Sequence, residues 1–400
     1  MTILKCIGLM SGTSMDGIDA VLLETDGKTY TKQLSSLSLS YDNSFRSLLK
    51  AAELVVRKYK GNLELAQENY QNLSDIIATS TISHTKIVKK LLEKSLFTAK
   101  EIDVIGYHGQ SLYHNPEEKI TISVGYSQLL ANNTGIPVVA NFRERDVKNG
   151  GQGAPFAPIY HQALAIRDKR LPIAVVNCGG IANVTFIRDS NPNNLIGFDT
   201  GPGNVLIDQY IRKFSNNTEF MDKDGKHGKL GKMHDNIFKT LYNSAVVKNN
   251  VNYLNSYPPK SLDSSNFILT EEIFTLTPQD ACRTLAAFTA YIIAECTKFI
   301  TFPSPLTWVM CGGGFNNPVI VTELNKYIKE KLGEQAKIIK ASSIGWDSQY
   351  MEAEIFAYIA ARTMLQLPSS FPQITNVKSP TIAGDIFLPH VDFSHDVSKI

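Results

Sequence analysis

Twice in this chain an apolar strand runs into a turn of small residues and returns as a second apolar strand. Near the N-terminus the runs Ile3 to Leu9 and Ile18 to Leu23 flank the turn SGTSMDG. Further on, the strand at 172–177 reaches Cys178-Gly179-Gly180 and returns as the strand at 183–187. Strands alternate with helical stretches after each hairpin. That repetition restricts the chain to the α/β class and to two domains with a cleft between them. A length of 400 residues is ample for roughly two or three domains.

The first turn superficially matches a phosphate-binding loop. Gly12 and Gly17 have the spacing G-x-x-x-x-G, but Ile18-Asp19 stand where Lys and Ser/Thr are needed, and a strand follows instead of a helix. A Walker site is therefore excluded. Small residues still allow backbone N–H groups and hydroxyls to converge on an anion. Asp16 and Asp19 would then need a cation between them and a phosphate. From this stretch alone, an ordinary polar hairpin loop is the alternative.

Composition narrows the function classes. Hydrophobic residues make up 43% of the chain, mean hydropathy is -0.11, and 40 Lys and Arg against 38 Asp and Glu give a net charge of +2. With no basic cluster interleaved with aromatics, nucleic acid is not an expected partner. The most apolar stretch, LAAFTAYIIA from Leu285, is too short for the ~20 residues that cross a bilayer, so no membrane partner is expected. The N-terminus does not read as a secretory leader. The five cysteines (Cys6, Cys178, Cys282, Cys296, Cys311) contain no C-x-x-C pair. Reduced, buried thiols in a cytoplasmic protein are the expectation, with no zinc site.

Between the hairpins, 43–96 reads as one long helical region, and strands follow at 103–107, 120–124 and 135–140. The loop GGQGAPFAP at 150–158 marks a candidate hinge or domain junction. In the second half a strand at 195–198 ends in DTGPGN, which opens a helix at 205–214. A long helix follows at 278–300. A strand at 306–310 leads into CGGG and a helix at 318–332, then come a strand at 337–341 and a helix at 347–367. Gly-rich turns after strands sit where α/β folds bind ligands. The turn GFDTGPGN is the most pointed, because Asp199 ends a strand and a helix N-terminus follows. Its third dinucleotide glycine is missing, since Leu206 occupies that place. Asp199 could equally just cap the turn. There is neither an H-E-x-x-H metal motif nor a G-x-S-x-G elbow. The residues alone lead to a two-domain, nucleotide-using enzyme.

Six ordered motifs go further: GLMSGTSMDGID, YHGQS, ANFRERDVKNGGQGAP, VNCGGIAN, GFDTGPGN and CGGGFNN. Together, from Ile7 to about Arg362, the chain resembles the anhydro-N-acetylmuramic acid kinases, members of the actin, hexokinase and heat-shock-70 ATPase superfamily. The resemblance implies two actin/hexokinase-like (RNase H-like) domains flanking an ATP and substrate cleft. The first would span 1–140 and hold the first phosphate loop, with room for a C-terminal segment to pack back on it. The second would span 141–400.

The resemblance also implies roles. ATP would meet Gly12, Thr13, Ser14, Met15, Asp16, Gly17, Ile18 and Asp19 of the first loop, and Thr200, Gly201 and Gly203 of the second. Gly312, Gly313, Gly314 and Asn316 would lie near the adenosine. Mg²⁺ would be held by Asp16 and Asp19. Asp199 would be the general base, and His108, Arg143, Arg145 and Glu352 would contact an anhydro amino sugar. The implied reaction hydrolyses the 1,6-anhydro bond of 1,6-anhydro-N-acetylmuramic acid and phosphorylates O6, in peptidoglycan recycling by a cytoplasmic homodimer. A kinase of another amino sugar or anhydrosugar, and a non-metabolic ATPase of the same fold, are the alternatives. The chain departs from the family pattern at Asn141, where Asp is usual. It departs again at Lys148-Asn149, where small residues are usual, and at Cys178, where Ile is usual.

Overall fold

A computed structural model describes residues 2–12, 14–115, 118–244, 246–247, 251–262 and 267–390. The chain forms two compact units, Met1–Arg167 with Tyr350–Ile400, and Asp168–Gln349. The first opens with β1 (Leu4–Ser11), β2 (Gly17–Thr25) and β3 (Thr31–Ser40). It continues through α1 (Asn43–Lys58), α2 (Leu63–Asn69), α3 (Leu73–Ser95), β4 (Val104–Asn115), β5 (Ile120–Val124), α4 (Ser127–Thr134), β6 (Val138–Ala140), α5 (Phe142–Lys148) and α6 (Ala157–Arg167). The second unit holds β7 (Ile173–Cys178), β8 (Ile181–Ile187), β9 (Ile196–Pro202), α7 (Val205–Phe214), α8 (Asp235–Ser244), β10 (Val246–Val247) and β11 (Val251–Asn252). Then follow α9 (Pro278–Glu295), β12 (Thr307–Cys311), α10 (Pro318–Leu332) and β13 (Lys337–Lys340). The chain returns to the first unit with α11 (Met351–Met364), α12 (Pro372–Thr375) and β14 (Asp385–Phe387).

The two main sheets share one plan. In the first, β3, β2 and β1 form an antiparallel meander, β4 and β6 extend it in parallel from β1, β14 caps β6, and β5 pairs with β4. In the second, β9, β8 and β7 form the meander, and β12 and β13 extend it in parallel from β7. The hairpin echo in the sequence is thus a repeated α/β topology.

Side-chain alternation explains how the first sheet is covered. Ile7 and Leu9 of β1 and Ile105 and Tyr107 of β4 face a core shared with Ile87, Val88 and Leu91 of α3 and Leu130 of α4. The intervening Gly8 and Gly106 face the other way, where α11 lies against the sheet. A Cβ on Gly8 would fall 1.9 Å from the Ala353 carbonyl oxygen, and one on Gly106 would fall 2.1 Å from that of Phe356. Glycine is what lets this helix backbone touch the strands. In the second unit the stretch from Leu285 is the buried centre of α9, packed among Phe198, Tyr210 and Trp308. Among the described residues no helix is long and apolar enough to cross a membrane. All five cysteines are buried and unbridged.

Several expected boundaries move. The helical region is three helices, because Gly61 takes φ +81 and Asn62 caps α2 through the Leu65 N–H. The helix expected at 278–300 ends at Glu295, and the last one starts at Met351 instead of 347. The division expected at 140/141 falls inside the first unit, since β14 pairs with β6 and α11 packs on β1 and β4. The chain passes between units at 167/168 and 349/350. Nor is 150–158 a junction. The wholly buried Asp146 takes the Gly153 N–H at 2.6 Å and the Thr375 hydroxyl at 2.7 Å, while the Gln152 N–H reaches the Thr375 carbonyl. Those bonds fasten the loop to α12.

Candidate active site

The first loop joins β1 to β2. Ser11 closes its base, with the hydroxyl 2.6 Å from Gln110 Oε1 and 3.1 Å from the Gly17 carbonyl, and Gln110 Nε2 donates to the Gly12 carbonyl. Thr13 lies outside the described residues. Met15 takes φ +53 and buries its side chain with Phe45 and Leu49, and Ile18 is buried against Ile7. These two can therefore offer a nucleotide only backbone. Ser14 and Asp16 are exposed, joined by a 2.8 Å hydrogen bond. Asp19 is half-buried and accepts from the Ser38 hydroxyl. Two carboxylates in a polar loop are the hard oxygen donors that Mg²⁺ takes, usually one or two together with substrate phosphates. Among the described residues no cluster of three His, Cys, Asp or Glu could hold a metal by itself. That donor set fits a metal brought in with a nucleotide.

In the second unit Asp199 sits in the middle of β9, which runs on to Pro202 instead of ending at 198. Pairing with β8 jumps from Asn183–Asp199 to Ala182–Gly201, which leaves Thr200 as an extra residue in β9. Such a bulge bends a strand and re-aims the neighbouring side chains. Thr200 is buried and its hydroxyl donates to the Ala182 carbonyl, so it too would meet a nucleotide only through backbone. The half-buried Asp199 accepts the Leu262 N–H on Oδ2 at 2.8 Å.

The turn after β9 docks on the turn between β7 and β8. Gly203 N–H donates to the Gly180 carbonyl and Asn204 N–H to that of Gly179, both at 2.8 Å. Cys178 lies beneath. A Cβ on Gly203 would fall 3.2 Å from its sulfur and one on Gly314 would fall 2.4 Å away, so both loops close on one buried thiol. Burial pushes that thiol up to about 12, so it stays protonated. Gly312 needs its φ of +90 and has Asn177 Oδ1 2.4 Å from where a Cβ would stand. Gly180 and Gly313 differ, being exposed with no atom within 4 Å of a built Cβ. Nothing in the protein's own packing requires glycine there. Sequence reasoning passed over Gly179 and Gly180, although the hairpin echo makes their turn the counterpart of 12–17.

Back in the first unit, Tyr107-His108-Gly109 of β4 meets α5. His108 is 5% exposed, and its ring lies 4.6 Å from that of Phe356. Arg143 Nε donates to His108 Nε2 at 3.2 Å, which leaves the proton on Nδ1, 2.9 Å from the Gly109 carbonyl. Burial, and next the Arg143 guanidinium, hold this imidazole well below its usual pKa, so it is neutral. Arg143 also donates to the Gly153 carbonyl at 2.8 Å. Glu352, in the first turn of α11, keeps an exposed surface although protein surrounds it. That crowding raises its pKa, Arg143 lowers it and Asp19 raises it. His108, Arg143, Asp19 and Glu352 therefore form one neighbourhood.

Arg145 does not join them. It is exposed, two residues along the helix from Arg143, and it donates to the Gly384 carbonyl. Residues two apart on a helix face different ways, which the spacing of FRERD concealed. A small cavity beside this group is lined by His108, Ser123, Asn141, Phe142, Arg143 and Glu144. Asn141 donates to Asp385 Oδ2 at 3.1 Å, so a carboxylate from β14 stands beside it. No local signal linked 141 to 385.

The sequence profile of the family described as anhydro-N-acetylmuramic acid kinase matches residues 4–389. The chain belongs to this family. A relative named anhydro-N-acetylmuramic acid kinase from Rhodopseudomonas palustris (strain BisB18) is 34% identical over 387 residues, 96% of this chain and 100% of the relative. One of the same name from Agrobacterium fabrum is 36% identical over 381 residues, 94% of this chain and 97% of the relative. Another, from Brucella abortus (strain 2308), is 36% identical over 383 residues.

Proposed function

We propose that this chain is an ATP-dependent kinase that opens the 1,6-anhydro bond of 1,6-anhydro-N-acetylmuramic acid and phosphorylates the released O6. The product is N-acetylmuramic acid 6-phosphate, an intermediate of peptidoglycan recycling. One observation carries the mechanism: Asp199, in the middle of β9 beside the bulge at Thr200, has one carboxylate oxygen already fixed by the Leu262 N–H. A general base must be held within hydrogen-bond reach of its nucleophile, and this carboxylate is held.

Asp199 takes a proton from water, and the water oxygen bonds to C1 as the C1–O6 bond breaks. O6 then attacks the γ-phosphorus, and the bond to the ADP oxygen breaks. Catalysis of phosphoryl transfer rests on positioning and charge neutralisation more than on covalent help. Backbone groups of 12–19 would meet the phosphates, and His108, Arg143 and Glu352 the sugar. Residues 201–203 and the turn at Gly179-Gly180 would also meet phosphates, with Gly312 to Gly314 and Asn316 toward the adenosine. Asp16 and Asp19 would hold Mg²⁺, which when bound neutralises phosphate charge. Arg145, turned to Gly384, has the weakest claim on the sugar. A homodimer and a cytoplasmic location belong to the same reading, and light scattering and cell fractionation test them.

The deciding experiment runs the reaction in ¹⁸O-enriched water, quenched before anomeric exchange, with the product read by mass spectrometry. The label belongs on C1 alone. An unlabelled sugar with its anhydro bridge intact would mean a simple kinase, and label in free phosphate would mean an unproductive ATPase. Either result would sink the coupled reaction.

A further inference from the structure

Lys260 is a cation where cations rarely lie, with 7% of its surface exposed. Its ammonium donates to the Tyr253 carbonyl at 2.9 Å and lies 4.6 Å from the Phe299 ring centre and 5.6 Å from that of Phe198. Phe198 is the residue immediately before Asp199. A buried ammonium is costly unless bonded, and the carbonyl and the two aromatic faces are what offset that cost.

Around this anchor the chain runs along the outer edge of β9, which is the last strand of its sheet. The Asp199 N–H donates to the Lys260 carbonyl at 3.0 Å, and two residues on the Leu262 N–H donates to Asp199 Oδ2 at 2.8 Å. The 260–262 segment therefore holds Asp199 by both its backbone and its carboxylate. Tyr253, to which the ammonium is tied, lies 3.0 Å from where a Cβ on Gly201 would stand, so the anchor also meets the turn beyond Asp199.

We propose that Lys260 is a positioning residue for the reaction: its buried ammonium pins 260–262 along the edge of β9, so that the Leu262 N–H fixes the Asp199 carboxylate toward its water. The inference rests on the reading of Asp199 as the base. Three titratable groups act on the ammonium, Cys296 and Asp199 favouring its charge and Lys298 opposing it. Burial, the largest influence, pulls its pKa down to about 8.

The test compares full-length Lys260→Met, Lys260→Arg and Asp199→Asn, with ATP and 1,6-anhydro-N-acetylmuramic acid as substrates. In Lys260→Met, kcat should fall on the order of 10- to 100-fold, the size of effect expected from a misplaced catalytic group. KM for ATP should change much less than kcat, because Lys260 bonds to Tyr253 and Asp199 and makes no bond to 201–203. The acid limb of the kcat profile should move to higher pH, since a carboxylate that loses a bonded N–H and a nearby positive charge ionises less readily. Lys260→Arg, which keeps both charge and donor, should restore that limb. A loss of packing alone would leave the limb in place. Normal kcat and an unmoved limb in Lys260→Met would overturn the proposal. If that variant does not fold, Leu262→Pro removes the N–H directly, and wild-type behaviour there would overturn it equally. Substantial turnover by Asp199→Asn would remove the base assignment itself. Inactive Asp199→Asn beside normal Lys260→Met would remove only the role of Lys260.

Discussion

At the scale of single residues, identical side chains do unlike things here according to what surrounds them. Asp199→Asn keeps the shape and the Leu262 bond but cannot take a proton. Turnover is expected to fall by roughly 10²–10⁴-fold or more while ATP still binds, as calorimetry with a non-hydrolysable analogue would show. The glycines of CGGG divide by the same logic. Gly314→Ala would drive a methyl into the Cys178 sulfur, whereas Gly313 has open space. Gly313→Ala should therefore leave the melting temperature unchanged and raise KM for ATP, because the methyl meets only what binds there. A lowered melting temperature with unchanged KM would show that Gly313 serves packing after all. His108 is neutral and accepts from Arg143, so His108→Ala strands a guanidinium donor. Losing such a partner costs up to about 1–3 kcal/mol of stability, and an Arg143 no longer held by His108 should raise KM for the sugar with little change in that for ATP.

At the scale of elements, the decisive contact is α11 against β1 and β4. The helix backbone sits on Gly8 and Gly106 so closely that no side chain fits beneath it. Gly106→Ala must push α11 outward, and overpacking of a rigid backbone contact costs about 1–3 kcal/mol or more. The same shift displaces Glu352 from Arg143, so stability and sugar affinity should fall together. Denaturant titration and sugar KM on one preparation would check this, and loss of one without the other would contradict the account. The helix was visible in the sequence through its apolar run, but its seat was not. Gly8 and Gly106 read simply as small residues within strands, since the partner they make room for lies more than 240 residues away in the chain.

For the whole molecule, pH dependence follows from the buried histidines of the first unit. Burial pulls His84 down to about 4 and His161 down to about 3, against about 6.5 for an exposed imidazole. Between those values the unfolded chain binds protons that the folded one refuses. Stability is therefore full above about pH 6.5 and is lost as pH falls toward 4. His84 alone accounts for about 3 kcal/mol of that loss. The urea midpoint of the first unit should drop between pH 7 and pH 5. His84→Phe, which keeps an aromatic ring against Tyr107 at the expense of the Ser80 bond, should flatten that slope. An equal slope in the variant would place the acid sensitivity elsewhere.

What the sequence determined alone was whatever depends on neighbours along the chain. Alternation and turn residues disclose the two hairpins, the strand at β9 and the helices α7 and α10, and Asn317-Pro318 and Gly333 mark the ends of α10 locally. The ordered motifs carried the family and, through it, the reaction. The tertiary structure decided what depends on residues far apart. It moved the passage between units to 167/168 and 349/350, bolted 150–158 onto α12, and turned Arg145 away from His108. It turned the Thr200 hydroxyl into the sheet, and it brought Leu262 and Lys260 to Asp199. The physical reason is the same in each case. Backbone geometry and side-chain period are set within a few residues, whereas a buried hydrogen bond chooses its partner only after the chain has closed over it.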